Sequence, residues 1–274
     1  MTPSQALSDA VLLAQSFQRA HDCGPRGTPT YCPVIAVGGS YPGFLSFAMR
    51  LVHPAVVDAA YAASAPVLFY AQQVQQEAYY KRVTESAERS LPGCGGEVSK
   101  SLGEVAEAIA AAGSGFAKFA EAELGVCPDS MPSYIASAAL FADELFMAAG
   151  YAFAGLNMGN YPPDNSTALH AACQGFADSE ATSEEKFAAF AVAQFGGDDD
   201  NAACFDMSSQ LPAGPFATIS SGDWSGVGTG DDGAMWDFQT CSLLVEAIGF
   251  DEAESMFLER RWTKEWLYDH CQER

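Results

Sequence analysis

The stretch VIAVGGSYPGFLSFAMR, residues 34–50, constrains the fold more than any other part of the chain. Its first four residues are unbroken apolar, as expected of a strand buried on both faces of a parallel sheet. The apolar spacing then becomes helical, which predicts a strand near 33–39 and a helix near 42–52 ended by His53-Pro54. Ser40 stands at the joint. A serine between strand and helix with small neighbours fits a nucleophile elbow, a sharp turn that pushes the serine Cα against nearby backbone. Gly38 supplies the small residue two places before Ser40, but two places after it stands Pro42, with Gly43 one place late. Proline is accepted in a first helical turn, where its missing N–H would have no partner. It nonetheless disfavours helical torsions at Tyr41, whose N–H is the one expected to face an oxyanion. On these residues alone, a nucleophile and a plain capped helix both stay open.

The flanking sequence extends the pattern. VVDAAYAASAP, residues 56–66, reads as a second strand, and strand, helix, strand within some thirty residues is a βαβ unit of an α/β sheet. Before it, residues 2–20 read as an amphipathic helix with Ser4 as its cap, followed by the Gly- and Pro-rich loop CGPRGTPTYCP. After residue 67 the character changes. Helix-period, alanine-rich segments dominate, such as GEVAEAIAAAGSGFAKFAEAEL, SYIASAALFADELFMAAGYAFAG and SEEKFAAFAVAQF, while GDWSGVGTGDDGAMW reads as a long loop. The expected organisation is a partial α/β sheet over 1–67 and a mainly helical region over 68–274.

Charge and cysteine content narrow the function. With 35 acidic residues against 13 Lys plus Arg, the net charge of −22 repels phosphate backbones and anionic membrane surfaces, so nucleic acid is excluded as a partner. The apolar stretch Leu145 to Leu156 is too short to span a bilayer, and the N-terminus lacks the basic region and apolar run of a signal peptide. Eight cysteines at 23, 32, 94, 127, 173, 204, 241 and 271 show no zinc-type spacing, so no metal or cofactor is expected; an even, dispersed set suits disulfides in an oxidising compartment. Asn165-Ser166-Thr167 is a glycosylation sequon. Asp198-Asp199-Asp200 lacks the alternating spacing of calcium ligands and reads as a solvated loop.

Three stretches together, TPSQALSDAVLLAQSFQ, PVIAVGGSYPGFLSFAMRLVHPAVVDAAYAASAPV and MWDFQTC, resemble the prolyl serine peptidases, the family of lysosomal Pro-X carboxypeptidase and dipeptidyl peptidase II. That family typically reads GGSYGGML, then KYP, DGALAASAP and W-x-Y-Q-A-C-T-E. The resemblance runs from about residue 2 to 271 and is most specific over 34–67. It implies an α/β-hydrolase sheet with a large helical insertion, and cleavage of a peptide substrate after proline near one terminus. It also implies Ser40 as nucleophile, Tyr41 as the adjacent oxyanion amide and a secreted, lysosomal or vacuolar location, and it leaves a homodimer open. Pro42 replaces a family glycine, and Leu243 and Leu244 fill the place of Thr-Glu.

The family's catalytic Asp and His belong to a segment with no counterpart here, so the chain is expected to be a fragment, inactive alone. Each local histidine, His21, His53, His170 and His270, reads as structural. Asp269-His270 are adjacent on a helix and so do not face each other. Asp237, beside Trp236 in WDFQTC, could pair with a substrate's free α-amine; capping the helix FQTCSLLVEAI is its plainer role. Cys241 and Cys271 flank a hairpin-like stretch and match family cysteines, which implies a bond between them; the other pairings stay open. The alternative to a peptidase is a non-catalytic hydrolase-like protein whose helical part binds a partner.

Overall fold

A computed structural model describes residues 2–131, 135–195, 204–205, 207, 236 and 238–272. The chain divides into two compact units, Met1–Val74 with Leu243–Val245, and Gln75–Ser242 with Glu246–Arg274.

The first unit holds α1 (Pro3–Ala20), β1 (Ile35–Gly39), α2 (Ser40–Val52), β2 (Ala59–Ala63) and the short α3 (Val67–Tyr70). Thr2, not Ser4, caps α1: its hydroxyl accepts from the Gln5 N–H because Pro3 takes the first helical turn. β1 and β2 are parallel, in register from Ile35 opposite Ala59 to Gly39 opposite Ala63, and α2 is the crossover between them. The second strand is shorter than 56–66, because residues 54–56 turn after the end of α2, with Val57 N–H donating to the His53 carbonyl. The expected burial on both faces is not met. Ile35 is 61% and Val37 70% exposed, since among the described residues the sheet consists of β1 and β2 alone.

The second unit is helical: α4 (Ala78–Ser90), α5 (Cys94–Ala112), α6 (Phe116–Glu123), α7 (Ala138–Met158), α8 (Ala168–Phe176), α9 (Ser183–Phe195) and α10 (Lys264–Gln272). Val98, Leu102, Val105 and Ile109 recur at steps of three and four along α5, and all four are fully buried, so one stripe of the helix meets the core. Phe153 of α7 stacks on Phe190 of α9 at 4.8 Å and packs near Phe176 and Phe257. Each such ring removed from water stabilises by roughly 1.5–3 kcal/mol. The helix-period segment through residues 103–124 forms two helices, broken at Gly113, whose φ of +54° suits glycine. Beyond residue 242 the helix expected over 238–248 also stops. There Phe250 pairs antiparallel with Arg260, and the Arg260 guanidinium meets Asp143 of α7 at 2.9 Å.

At 21 residues α7 is long and apolar enough to cross a membrane, longer than the stretch read from the sequence. Phe141, Leu145, Ala148 and Phe153 are nevertheless buried within the helical core. All eight cysteines are paired: Cys23–Cys32, Cys94–Cys173, Cys127–Cys204 and Cys241–Cys271, the last with Cα atoms 5.6 Å apart.

Candidate active site

Ser40 follows β1 directly and begins α2, so the helix starts two residues earlier than its pattern predicts. Its φ is +55°, in the left-handed region that non-glycine residues seldom enter, and such strain gathers at functional turns. The turn dictates its neighbours. A Cβ on Gly38 would stand 2.1 Å from the Pro42 carbonyl oxygen and 2.3 Å from its carbon, so only glycine fits there. Gly43 meets the second strand: a Cβ would lie 2.9 Å from the Ala63 carbonyl oxygen and 3.1 Å from the Ala65 methyl. The close approach that an elbow needs after its nucleophile is therefore made at Gly43, not at Pro42. Pro42 sits exposed in the first turn of α2, where helix N–H groups lack intrahelical partners. Tyr41 is helical despite the proline after it. Its ring stacks on Phe44 at 6.4 Å, Phe44 meets Tyr70 edge-on at 5.1 Å, and burial pushes the Tyr41 hydroxyl's pKa up. Ser46, buried one turn on, donates to the Gly43 carbonyl at 2.9 Å with the Tyr61 carbonyl 3.3 Å away, which fixes α2 against β2.

At the start of β1 lies a group of residues that the sequence did not single out. Asp58 Oδ2 accepts from the Tyr31 hydroxyl at 2.6 Å and the Val34 N–H at 2.8 Å, and Oδ1 meets Arg26 at 2.5 Å. These bonds, that from Tyr31 foremost, hold the Asp58 carboxyl below the usual carboxylate range. The Cys23–Cys32 bond closes the loop carrying Arg26 and Tyr31, so the loop is pinned to the start of β1. The nine-residue cysteine spacing was the signal available in the sequence.

Ser40 is exposed, and no histidine or carboxylate hydrogen-bonds its hydroxyl among the described residues. His21 caps α1 with its ring 4.2 Å from Phe17. His53 caps the far end of α2, about 20 Å along the helix from Ser40 at 1.5 Å per residue. His170 is buried, its Nδ1 2.9 Å from the Ser90 carbonyl. His270 falls in α10, and its side chain lies outside the described residues. Trp236 is half-buried and helical, while Asp237 and Asp198-Asp199-Asp200 lie outside the described residues. Asn165 is exposed in the turn before α8. No group of three or more His, Cys, Asp or Glu that could hold a metal occurs among the described residues.

The family model for serine carboxypeptidase S28 matches residues 1–273. This chain belongs to that family. Lysosomal Pro-X carboxypeptidase of Mus musculus is 35% identical over 115 residues, 42% of this chain and 22% of the relative. The protein of the same name from Homo sapiens is 34% identical over 101 residues, 37% and 19% respectively. Prolyl carboxy peptidase like protein 5 of Caenorhabditis elegans is 37% identical over 87 residues, 32% of this chain and 16% of the relative. The matches thus span about a fifth of these relatives. Membership in the S28 family implies the α/β-hydrolase fold, of which β1, the Ser40 turn, α2 and β2 are the visible core.

Proposed function

We propose that this chain carries the nucleophile of a serine exopeptidase that cleaves after proline near a peptide terminus. The observation that carries the reading is Ser40 at φ +55° between a parallel strand and a helix, with Gly38 and Gly43 at the two close approaches. In this reading the Ser40 hydroxyl attacks the carbonyl after proline, and the Tyr41 N–H donates to the oxyanion. Trp236 and Asp237 contact substrate, Asp237 through its carboxylate to a free α-amine. The helical unit is the insertion of the hydrolase sheet. Four disulfides and lysosomal relatives support a secreted or lysosomal protein.

A serine without a positioned base is a weak nucleophile, and loss of a triad member lowers turnover by about 10⁴-fold. None of His21, His53 and His170 hydrogen-bonds Ser40, so the chain alone should hydrolyse neither a dipeptide-Pro reporter nor a Pro-X peptide above its Ser40→Ala variant. The informative test replaces the matched stretch of the mouse relative with this chain. Hydrolysis by that chimera, lost on Ser40→Ala, supports the proposal; an inactive but folded chimera refutes it. The exposure of Ser40 favours one second reading, a non-catalytic member whose helical unit binds a partner, and the inactive chimera would be its signature.

A further inference from the structure

We infer that the Cys23–Cys32 bond is a clasp opened by a low-molecular-weight thiol, and that it sets, through Asp58, how firmly the strand leading to Ser40 is held. This bond is the most local of the four, joining cysteines 9 residues apart against 79, 77 and 30 for the others. Both cysteines are only half-buried, neither lies in a helix or strand, and residues 25–30 between them are all exposed. A small thiol can approach the sulfurs, and the loop can yield without opening the core of either unit. The other bonds are guarded. Cys94 and Cys173 are 1% and 0% exposed. Cys127–Cys204 borders the buried pair Val126 and Phe205, where the Phe205 N–H donates to the Gly125 carbonyl and the Cys127 N–H to the Phe205 carbonyl. Cys241 and Cys271 are both helical.

Opening the bond acts at a distance through one carboxylate. The loop presents Arg26 and Tyr31 to Asp58, and Asp58 accepts from the Val34 N–H, next to the first residue of β1. Arg26 also lies over the Tyr31 ring at 5.8 Å and donates to the Pro54 carbonyl at 3.4 Å. One loop therefore touches the start of β1, the turn after α2 and the residue before β2, and Ser40 follows the far end of β1. With the bond closed, few loop conformations compete with the docked one. With it open, docking Arg26 and Tyr31 on Asp58 must overcome closure entropy, up to about 80-fold in the docking equilibrium for a loop this short.

The step is an ordinary exchange. A thiolate attacks one sulfur, the S–S bond breaks, and the other sulfur leaves with the electron pair and takes a proton. A second thiol then displaces the first from the mixed disulfide. Two small thiols are oxidised to one disulfide, while Cys23 and Cys32 gain two electrons and two protons. The loop is built to close again. The Gly24 N–H donates to the Thr30 carbonyl at 2.9 Å, and Gln18 Nε2 to the Cys32 carbonyl at 2.7 Å, so backbone bonds keep the two cysteines near each other without the S–S bond. The clasp works whether or not Ser40 is a nucleophile.

The folded chain would be titrated with reduced glutathione, quenched with N-ethylmaleimide and digested, and the labelled cysteines identified by mass. Cys23 and Cys32 should be labelled at a thiol concentration about tenfold or more below that labelling any other cysteine; another pair opening first or alongside overturns the inference. Hydrogen exchange in peptides covering 31–39 should then rise roughly 10- to 80-fold in the selectively opened chain and fall back on reoxidation with oxidised glutathione. The double variant Cys23→Ser, Cys32→Ser should reproduce the rise, and if it does not fold the opened parent carries the comparison. Unchanged exchange overturns the clasp. In Asp58→Asn, opening the bond should change exchange by less than about threefold, because the link to Val34 is already cut; Tyr31→Phe serves if that variant does not fold. An equal rise in variant and parent would make the bond a general staple and overturn its action through Asp58.

Discussion

Substituting Gly38 by alanine should open the Ser40 turn, and Gly39 beside it provides the control. At Gly38 the new methyl would lie 2.1 Å from the Pro42 oxygen, 2.3 Å from the Pro42 carbon and 2.8 Å from the Gly43 nitrogen. Comfortable carbon contacts begin at roughly 3.5 Å, so the first turn of α2 must retreat by more than ~1 Å. The obstructing atoms are backbone, and no rotamer change relieves them. Overpacking of this kind costs about 1–3 kcal/mol. At Gly39 the nearest atom is the Ala63 oxygen at 3.8 Å, and its φ of −117° with ψ of 153° is a conformation alanine adopts freely. There the loss of unfolded-chain entropy should stabilise by about 0.4–1 kcal/mol. The two variants should therefore differ by roughly 1.5–4 kcal/mol, or about 10- to 1,000-fold in the opening equilibrium. Hydrogen exchange read by mass spectrometry on peptides covering 35–63 measures that opening locally. Equal protection in Gly38→Ala and Gly39→Ala would refute the claim that the turn forces glycine at 38.

Replacing Cys94 and Cys173 together by alanine should cost about 4–5 kcal/mol in the chain-entropy account for a separation of 79 residues, seen as a lower urea midpoint of the helical unit. An unshifted midpoint would show that the bond follows the fold without supporting it. Asp58→Asn should speed exchange in residues 31–37 at neutral pH, with the difference from the parent closing in acid. The sign follows from the depressed carboxyl: its stabilisation is complete above the unfolded value near ~3.9 and is lost as pH falls through the lower folded value. A difference that grows in acid would be inconsistent with this account.

The Ser40 turn was legible because each of its requirements lies within ten residues: an apolar run, a glycine pair, then helical spacing. What decides the position of the second small residue is not local. Ala63 and Ala65 sit across the sheet, so the sequence pattern alone made Pro42 look like a defect when Gly43 makes the contact. The Asp58 group was illegible for the same reason, since it joins residues 26, 31, 34 and 58 only once β1 and β2 pair. Likewise the helix expected through 248 obeys a local apolar pattern, but Gln72 Nε2 donates to the Val245 carbonyl and Phe250 pairs with Arg260, and those bonds need an extended chain. The strand expected near 33–39 forms over Ile35–Gly39 but is not buried, because periodicity describes what a strand is prepared to cover and not what covers it.

The disulfide order has a consequence for proteolytic survival. Cys94–Cys173 and Cys127–Cys204 overlap along the chain, so every peptide bond from 94 to 204 lies inside at least one covalent loop. A single cut there leaves one molecule, even in denaturant, until a reductant separates the pieces. Residues 33–93 and 205–240 have no such insurance, and a cut in either stretch divides the molecule outright. In a compartment rich in proteases, a chain nicked between residues 94 and 204 would run at full size without reductant and break into fragments with it, whereas damage in the other two stretches would show at once.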